Sequence, residues 1–242
     1  MSNFSNNYRS SSFASSASQV SYDAGLREYM VKVYNFMSIA LGISGAVAFL
    51  TASSTGLMNL IFGTPLSWVV MLAPLGFVLF FSYKLNSISA EKAKSYLWIY
   101  SALMGLSLAS IFVIYTGTSV ARVFFITASV FGAMSLYGYT TKKDLTGVGS
   151  FLIMGLIGLI IASVVNIFLK SSALEFALSV VGVLIFIGLT AYDTQRIKQT
   201  YYQVAGSSEL ATKMAVMGAL SLYMDFINLF IMLLRFFGDR RN

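Results

Sequence analysis

Asp193 and Asp225 are the two acidic residues that fall inside, or at the very edge of, long apolar runs in a chain that is otherwise almost wholly hydrophobic. A carboxylate at bilayer depth costs roughly 2.5 to 3.5 kcal/mol on insertion scales, so one that is kept there usually faces a bundle interior, has a partner and belongs to an ion or proton pathway. On the last apolar run Gly218, Ser221, Asp225 and Asn228 are spaced by three, four and three. They share one helical face, while Leu, Phe, Ile and Met fill most of the others. On the preceding run Thr190, Asp193 and Arg196 follow at i, i+3 and i+6, and Gly182 and Gly188 leave room for a neighbour. Sequential helices joined by a loop can pack antiparallel, which brings both carboxylates together.

Two carboxylates sharing a low-dielectric site cannot both ionise cheaply, so they titrate as a coupled pair. Doubly ionised, they repel each other and offer hard oxygen ligands suited to transient Ca²⁺; sharing one proton, they can hold two helices shut. Each acid also has an ordinary reading. Asp193 could be a helix-end residue paired with Arg196 at the membrane surface. Asp225 could be a neutral acid hydrogen-bonded to a neighbouring helix, its local polar company being only Ser221 and Asn228. Taken jointly, acids on adjacent helices favour a proton-sensing element on an ion pathway. Lys84, at the end of the second span, lies on the membrane side that Asp193 should approach. It is a candidate counter-ion beside Arg196, although a lone Lys there also serves as a positive-inside anchor.

The elements that must position these residues are membrane helices. Of 242 residues 57% are hydrophobic and 10% are charged, against about 25% charged in soluble domains; the mean hydropathy is +0.77. Seven apolar runs are long enough to cross about 30 Å of hydrocarbon as helices: Tyr34 to Thr51, Leu66 to Tyr83, Tyr96 to Tyr115, Val120 to Thr140, Gly149 to Leu169, Leu174 to Tyr192 and Ala211 to Leu234. The expected fold is an all-α, polytopic, seven-helix bundle forming one domain over residues 25–242. Residues 1–24, rich in Ser and Asn and without a signal-peptide core, read as a disordered tail. Small residues at helical spacing, in Ser101, Gly105 and Ala109, in Ala128 and Gly132, and in Gly155 and Gly158, point to close helix packing. Trp68 and Trp98 read as interfacial anchors and Pro74 as a kink.

The chain has no Cys and no His, which removes thiolate and imidazole metal ligands and the catalytic dyads built on them. No phosphate loop or dinucleotide fingerprint occurs, so neither an enzyme nor a cofactor is expected. The net charge of +7 is spread between apolar runs rather than gathered in one patch, which fits loops at a membrane face better than nucleic acid. Placing the N-terminus in the cytoplasm puts Arg9, Arg27, Lys32, Lys84, Lys92, Lys94, Lys142, Lys143, Arg196, Lys198 and Lys213 inside, and Arg122, Lys170, Arg235, Arg240 and Arg241 outside. Eleven against five favours that orientation. The basic C-terminus leaves open a last helix that re-enters instead of crossing; seven crossings are expected because the last run is long enough.

The stretch from Ala191 through Tyr192, Asp193, Thr194, Gln195, Arg196 and Ile197 to Lys198, with that from Ala219 through Ser221, Tyr223, Asp225 and Asn228 to Phe230, resembles the signature of the Bax inhibitor-1 family, also called the transmembrane Bax inhibitor motif or lifeguard family. Lys142-Lys143-Asp144-Leu145 and Asp23-Ala24-Gly25-Leu26-Arg27 resemble its bacterial members, and the resemblance runs from about residue 23 to the end. It implies a bundle whose last helix is surrounded by the others, acting as a pH-sensitive Ca²⁺ leak in a bacterial inner membrane. The acids matching Asp193 and Asp225 would be the proton-sensing pair that latches the pore. A bacterial member carries Arg at the end of the second span, where Lys84 stands here; Lys lacks the bidentate fork of Arg. An acid that some members carry in the second span is missing. The resemblance also implies a regulator: bacterial relatives are described as modulators of a membrane-bound AAA protease, and eukaryotic ones as suppressors of cell death under stress.

Overall fold

The computed structural model describes residues 6–241, with side chains from Ala24 onward except at Asn86. Of the tail expected over residues 1–24, residues 1–5 lie outside the described residues and side chains are described only at Ala24. Nine α-helices occur among the described residues: α1 (Asn6–Ser53), α2 (Thr55–Phe62), α3 (Leu66–Lys84), α4 (Ala90–Leu108), α5 (Ile111–Ile114), α6 (Gly117–Thr140), α7 (Thr146–Leu169), α8 (Ser172–Val204) and α9 (Ser208–Phe237). Seven stretches are long and apolar enough to cross a membrane: Ala24–Ser53 of α1, α3, Ala90–Ile114 spanning α4 and α5, then α6, α7, α8 and α9. The protein is a polytopic all-α membrane protein.

The observed helices depart from the apolar runs in ways the chain explains. The packed part of the first span begins before Tyr34, because Leu26, Tyr29, Met30 and Val33 continue a buried face through polar neighbours. Helix α8 runs past Tyr192 to Val204, since its last turns stay helical after they cease to be apolar. The third run is broken at Ala109 and Ser110, and the uncharged connection after the first span holds the short helix α2. Ser54, Ser89, Thr116, Ser171 and Ser207 each accept a backbone N–H three residues on, closing the starts of α2, α4, α6, α8 and α9.

Helix α9 is the axis. Two thirds of its apolar window, 67%, is buried, against 11% for α3 and 6% for α7. Helices α1, α4, α6 and α8 pack on α9, α3 lies outside on α4, and α7 lies outside on α8. Lipid tails are as apolar as Leu, so close backbone approach and interhelical hydrogen bonds must hold such a bundle. Gly105 of α4 does this against α1, where a Cβ would fall 2.7 Å from the Ser44 carbonyl oxygen, and Gly138 of α6 sits against the backbone of Ala191 in α8. Ala128 and Gly132 do not join two helices as their spacing suggested: both line an open groove. Trp68 is exposed near the start of α3, as an anchor would be. Trp98 instead lies inside α4 and packs edge-on against Phe36, with ring centroids 6.0 Å apart. Pro74 is buried within α3, which continues through it.

The two ends of the bundle are tied differently. At one end Gln195 clamps the α6–α7 connection, donating to the Lys143 carbonyl at 2.8 Å and accepting the Leu145 N–H at 2.8 Å. At the other, the residues after α9 fold back on the turn before α6: the Thr116 N–H donates to the Asp239 carbonyl at 3.0 Å and the Arg241 N–H to the Ile114 carbonyl at 2.9 Å. Arg122 adds bonds to the Phe237 carbonyl at 2.7 Å and to Asp239 at 3.0 Å. Helix α9 therefore runs the length of the bundle rather than turning back within it.

Candidate functional site

Helices α8 and α9 run antiparallel from the short loop Ala205–Ser207, and their seam carries the acids. Gly218 lets α9 close on α8, where a Cβ would lie 3.0 Å from Ile197 Cγ1. One turn on, Ser221 stands opposite Asp193. The Arg196 guanidinium joins the two helices: its Nη2 lies 3.4 Å from Asp193 Oδ1 and donates to Ser221 Oγ at 3.2 Å. The guanidinium also stands 5.8 Å from the centroid of the Tyr192 ring. Asp193 is 9% exposed.

Asp225 lies a further helical turn along α9 and is 6% exposed. Asp193 and Arg196, both on α8, are the charged groups close enough to act on it. No hydrogen bond joins the two carboxylates, and Asp225 Oδ2 is buried with no hydrogen-bond partner. Such an atom normally loses the desolvation free energy of about 1–3 kcal/mol without return. The rest of the stripe is internally satisfied: Asn228 Nδ2 donates to the Met224 carbonyl at 2.8 Å, and Thr190 Oγ1 to the Phe186 carbonyl at 2.7 Å. They shape the seam without reaching either acid.

The ion pair expected between Asp193 and Arg196 is present, and the same Arg196 crosses to the helix of Asp225. Lys84 is not brought in. It is exposed at the end of α3, a helix packed on α4, and pairs with neither acid. The side chain next to Asp193 in space is the one three residues along its own helix, and for that position proximity in sequence was the better guide. Among the described residues no group of three or more Asp, Glu, His or Cys could hold a metal ion. Two carboxylates and a hydroxyl fall short of the six to eight oxygens that a resident Ca²⁺ takes.

Sequence patterning missed a second polar layer. Ser44 of α1 donates to the Ser101 carbonyl of α4 at 2.7 Å and shares a 2.6 Å hydrogen bond with Tyr223 of α9, whose ring meets Tyr100 edge-on at 5.7 Å. The sequence signal was Tyr223 itself, off the Ser221–Asp225 face of the same helix, since a phenol buried in a bundle generally finds a partner.

The comparisons with known proteins fall on this same framework. The family described as "Inhibitor of apoptosis-promoting Bax1" matches residues 26–242. An uncharacterised protein of Rickettsia prowazekii is 52% identical over 221 residues, 91% of this chain and 93% of that protein. An uncharacterised protein of Caulobacter vibrioides is 51% identical over 92% of each chain. The inner membrane protein YbhL of Escherichia coli K12 is 46% identical over 231 residues, 95% of this chain and 99% of that protein. A match running from the first span to the C-terminus, with relatives at this identity over nearly their whole length, shows that the chain belongs to the Bax inhibitor-1 family of membrane proteins.

Proposed function

We propose that the protein is a Ca²⁺-permeable leak whose seam between α8 and α9 opens and closes with the protonation of Asp193 and Asp225. The observation that supports it is the unpartnered Oδ2 of Asp225, buried in the most enclosed helix beside a second acid. A membrane protein that retains so unfavourable a group has a use for it in another state. With one proton shared across the seam, one carboxyl donates to the other and α8 and α9 stay together. With both ionised, like charges push the helices apart and present oxygens to a passing cation. Arg196 answers Asp193 from the half-exposed side and leaves Asp225 to sense the change. The membrane would be a bacterial inner membrane, as the name of the Escherichia coli relative says of that protein, with the N-terminus in the cytoplasm.

The full chain in liposomes loaded with a Ca²⁺ dye tests this. Wild type is expected to pass Ca²⁺ with a rate that rises as pH rises and the shared proton is lost. Asp225→Asn, which carries no charge at any pH, is expected to give a low rate that pH does not change. A pH-independent flux that Asp225→Asn leaves unaltered sinks the proposal. If, in addition, a membrane-bound AAA protease is bound and regulated normally by both Asn variants but not after deletion of residues 1–24, the function is regulation through the tail.

A further inference from the structure

Helices α1 and α6 both pack on α9 but hardly on each other. The gap between them is a laterally open cavity of about 680 Å³, floored by Phe226 and walled by apolar side chains such as Val31, Met37, Phe124 and Leu136. A smaller cavity of about 100 Å³ shares Leu41, Phe124 and Phe226 and extends it along the same two helices. Among the residues whose side chains are described, Arg27 is the one charged residue lining the larger cavity and no acid lines it. Tyr139 lines it too, and Lys198 donates to the Tyr139 carbonyl at 2.8 Å, which brings a second cation to that end. The space beside Gly132 is open: a Cβ built there meets nothing within 4 Å.

We propose that this groove seats one acyl chain of an anionic phospholipid, with the phosphate at Arg27. The dimensions fit a single leaflet. From Arg27 to Leu41 the wall of α1 is about 21 Å long at 1.5 Å per residue, enough for a headgroup plus half of a hydrocarbon core about 30 Å thick. The sign of the charge selects the headgroup, since basic pockets between transmembrane helices hold anionic lipids. Such a groove is reached sideways from the bilayer, where acyl chains are the abundant apolar ligand. Phe226 follows Asp225 directly, so an occupant touches the helix that carries the acid. The lipid site stands whether or not the chain conducts Ca²⁺.

Native mass spectrometry of the full chain in detergent, with phosphatidylglycerol or phosphatidylcholine added, reads the site directly. Wild type should retain one phosphatidylglycerol about fivefold more tightly than phosphatidylcholine, the ratio given by roughly 1 kcal/mol per basic residue at a headgroup. Arg27→Gln should erase that preference and keep the weaker binding common to both lipids. Gly132→Phe, with its melting temperature unchanged, should lose both lipids by filling the groove. Arg27 is exposed, so its variant tests the proposal even if Gly132→Phe folds poorly. Equal retention of the two lipids by wild type overturns the proposal, as does unaltered binding by a folded Gly132→Phe. A several-fold rise in retained lipid on deleting residues 1–23 also overturns it and assigns the groove to the chain's own tail.

Discussion

Tyr223 and Asp225 stand two residues apart on the central helix and meet opposite fates. At about 100° per residue their side chains point some 200° apart, Tyr223 toward α1 and α4 and Asp225 toward α8. The Tyr223 hydroxyl is answered at 2.6 Å by Ser44, which also donates to the backbone of α4, so three helices are pinned by one fully buried cluster. The Asp225 carboxylate has one oxygen with no partner. One side of α9 is therefore closed by hydrogen bonds and the other is not, and the proposed gate uses that difference. A gate needs both, because a helix free on all sides would transmit nothing from a titrating group to a pathway.

The largest effect expected from disturbing that contrast is at the pinned side. Tyr223→Ala removes a buried aromatic ring and should destabilise the protein by about 3–5 kcal/mol, seen as a large fall in melting temperature in detergent. Tyr223→Phe keeps the ring and loses only the hydroxyl bond, so roughly 0.6 kcal/mol is expected, the usual worth of an interhelical hydrogen bond in a membrane. If the two variants fall equally, the hydroxyl is the pin and the ring is not.

Asp225 should behave in the opposite sense. Asp225→Leu replaces an unanswered carboxylate by an apolar group and is expected to stabilise the fold by about 1–3 kcal/mol while abolishing the flux. A loss of stability on that substitution would make Asp225 a structural residue like Tyr223, and the contrast between the two sides would collapse.

Arg196 sets how tightly the changing side is held. Its side chain is 49% exposed, so solvent screens the ion pair, and Arg196→Gln should lower stability by only about 0.2–1 kcal/mol. The functional shift should be easier to see. Removing a cation beside two acids makes a proton easier to add, so the pH at which flux changes should move upward. Lys84→Gln should leave that pH in place, because Lys84 pairs with neither acid; a shift equal to that of Arg196→Gln would restore Lys84 as the counter-ion.

Lys84 also shows where sequence reasoning stops. The seven spans, the face shared by Ser221 and Asp225 and the meeting of α8 with α9 all follow from periodicity and chain order, which are local. The choice between Lys84 and Arg196 depends on which helices touch, and nothing in the residues around position 84 says that α3 packs on α4 and stays away from α9. Tyr223 hid for a similar reason: its partner Ser44 is 179 residues away, and nothing in the residues around either position names the other. Ala128 and Gly132 misled in the other direction, since small residues at helical spacing give room without saying whether a helix takes it.

The smallest effect lies outside the membrane and tests whether the connections at the α8–α9 end are as fixed as the pinned side. Asp144 Oδ1 accepts the Thr146 N–H at 2.9 Å and its hydroxyl at 2.6 Å, and these bonds hold its carboxyl below the usual carboxylate range. A depressed folded-state value means that the ionised group's contribution is present above the unfolded value, near 3.8, and is lost as pH falls through the lower folded one. The turn into α7 should therefore hold at neutral pH and loosen only below about pH 4. Asp144 is fully exposed, so no change in melting temperature is expected, and the readout is protection of the Thr146 amide against hydrogen exchange. Asp144→Asn keeps an acceptor oxygen and should retain most of that protection across the range, whereas Asp144→Ala should lose it at every pH. Equal protection in all three would mean that Gln195, which grips Lys143 and Leu145 from α8, holds this connection by itself.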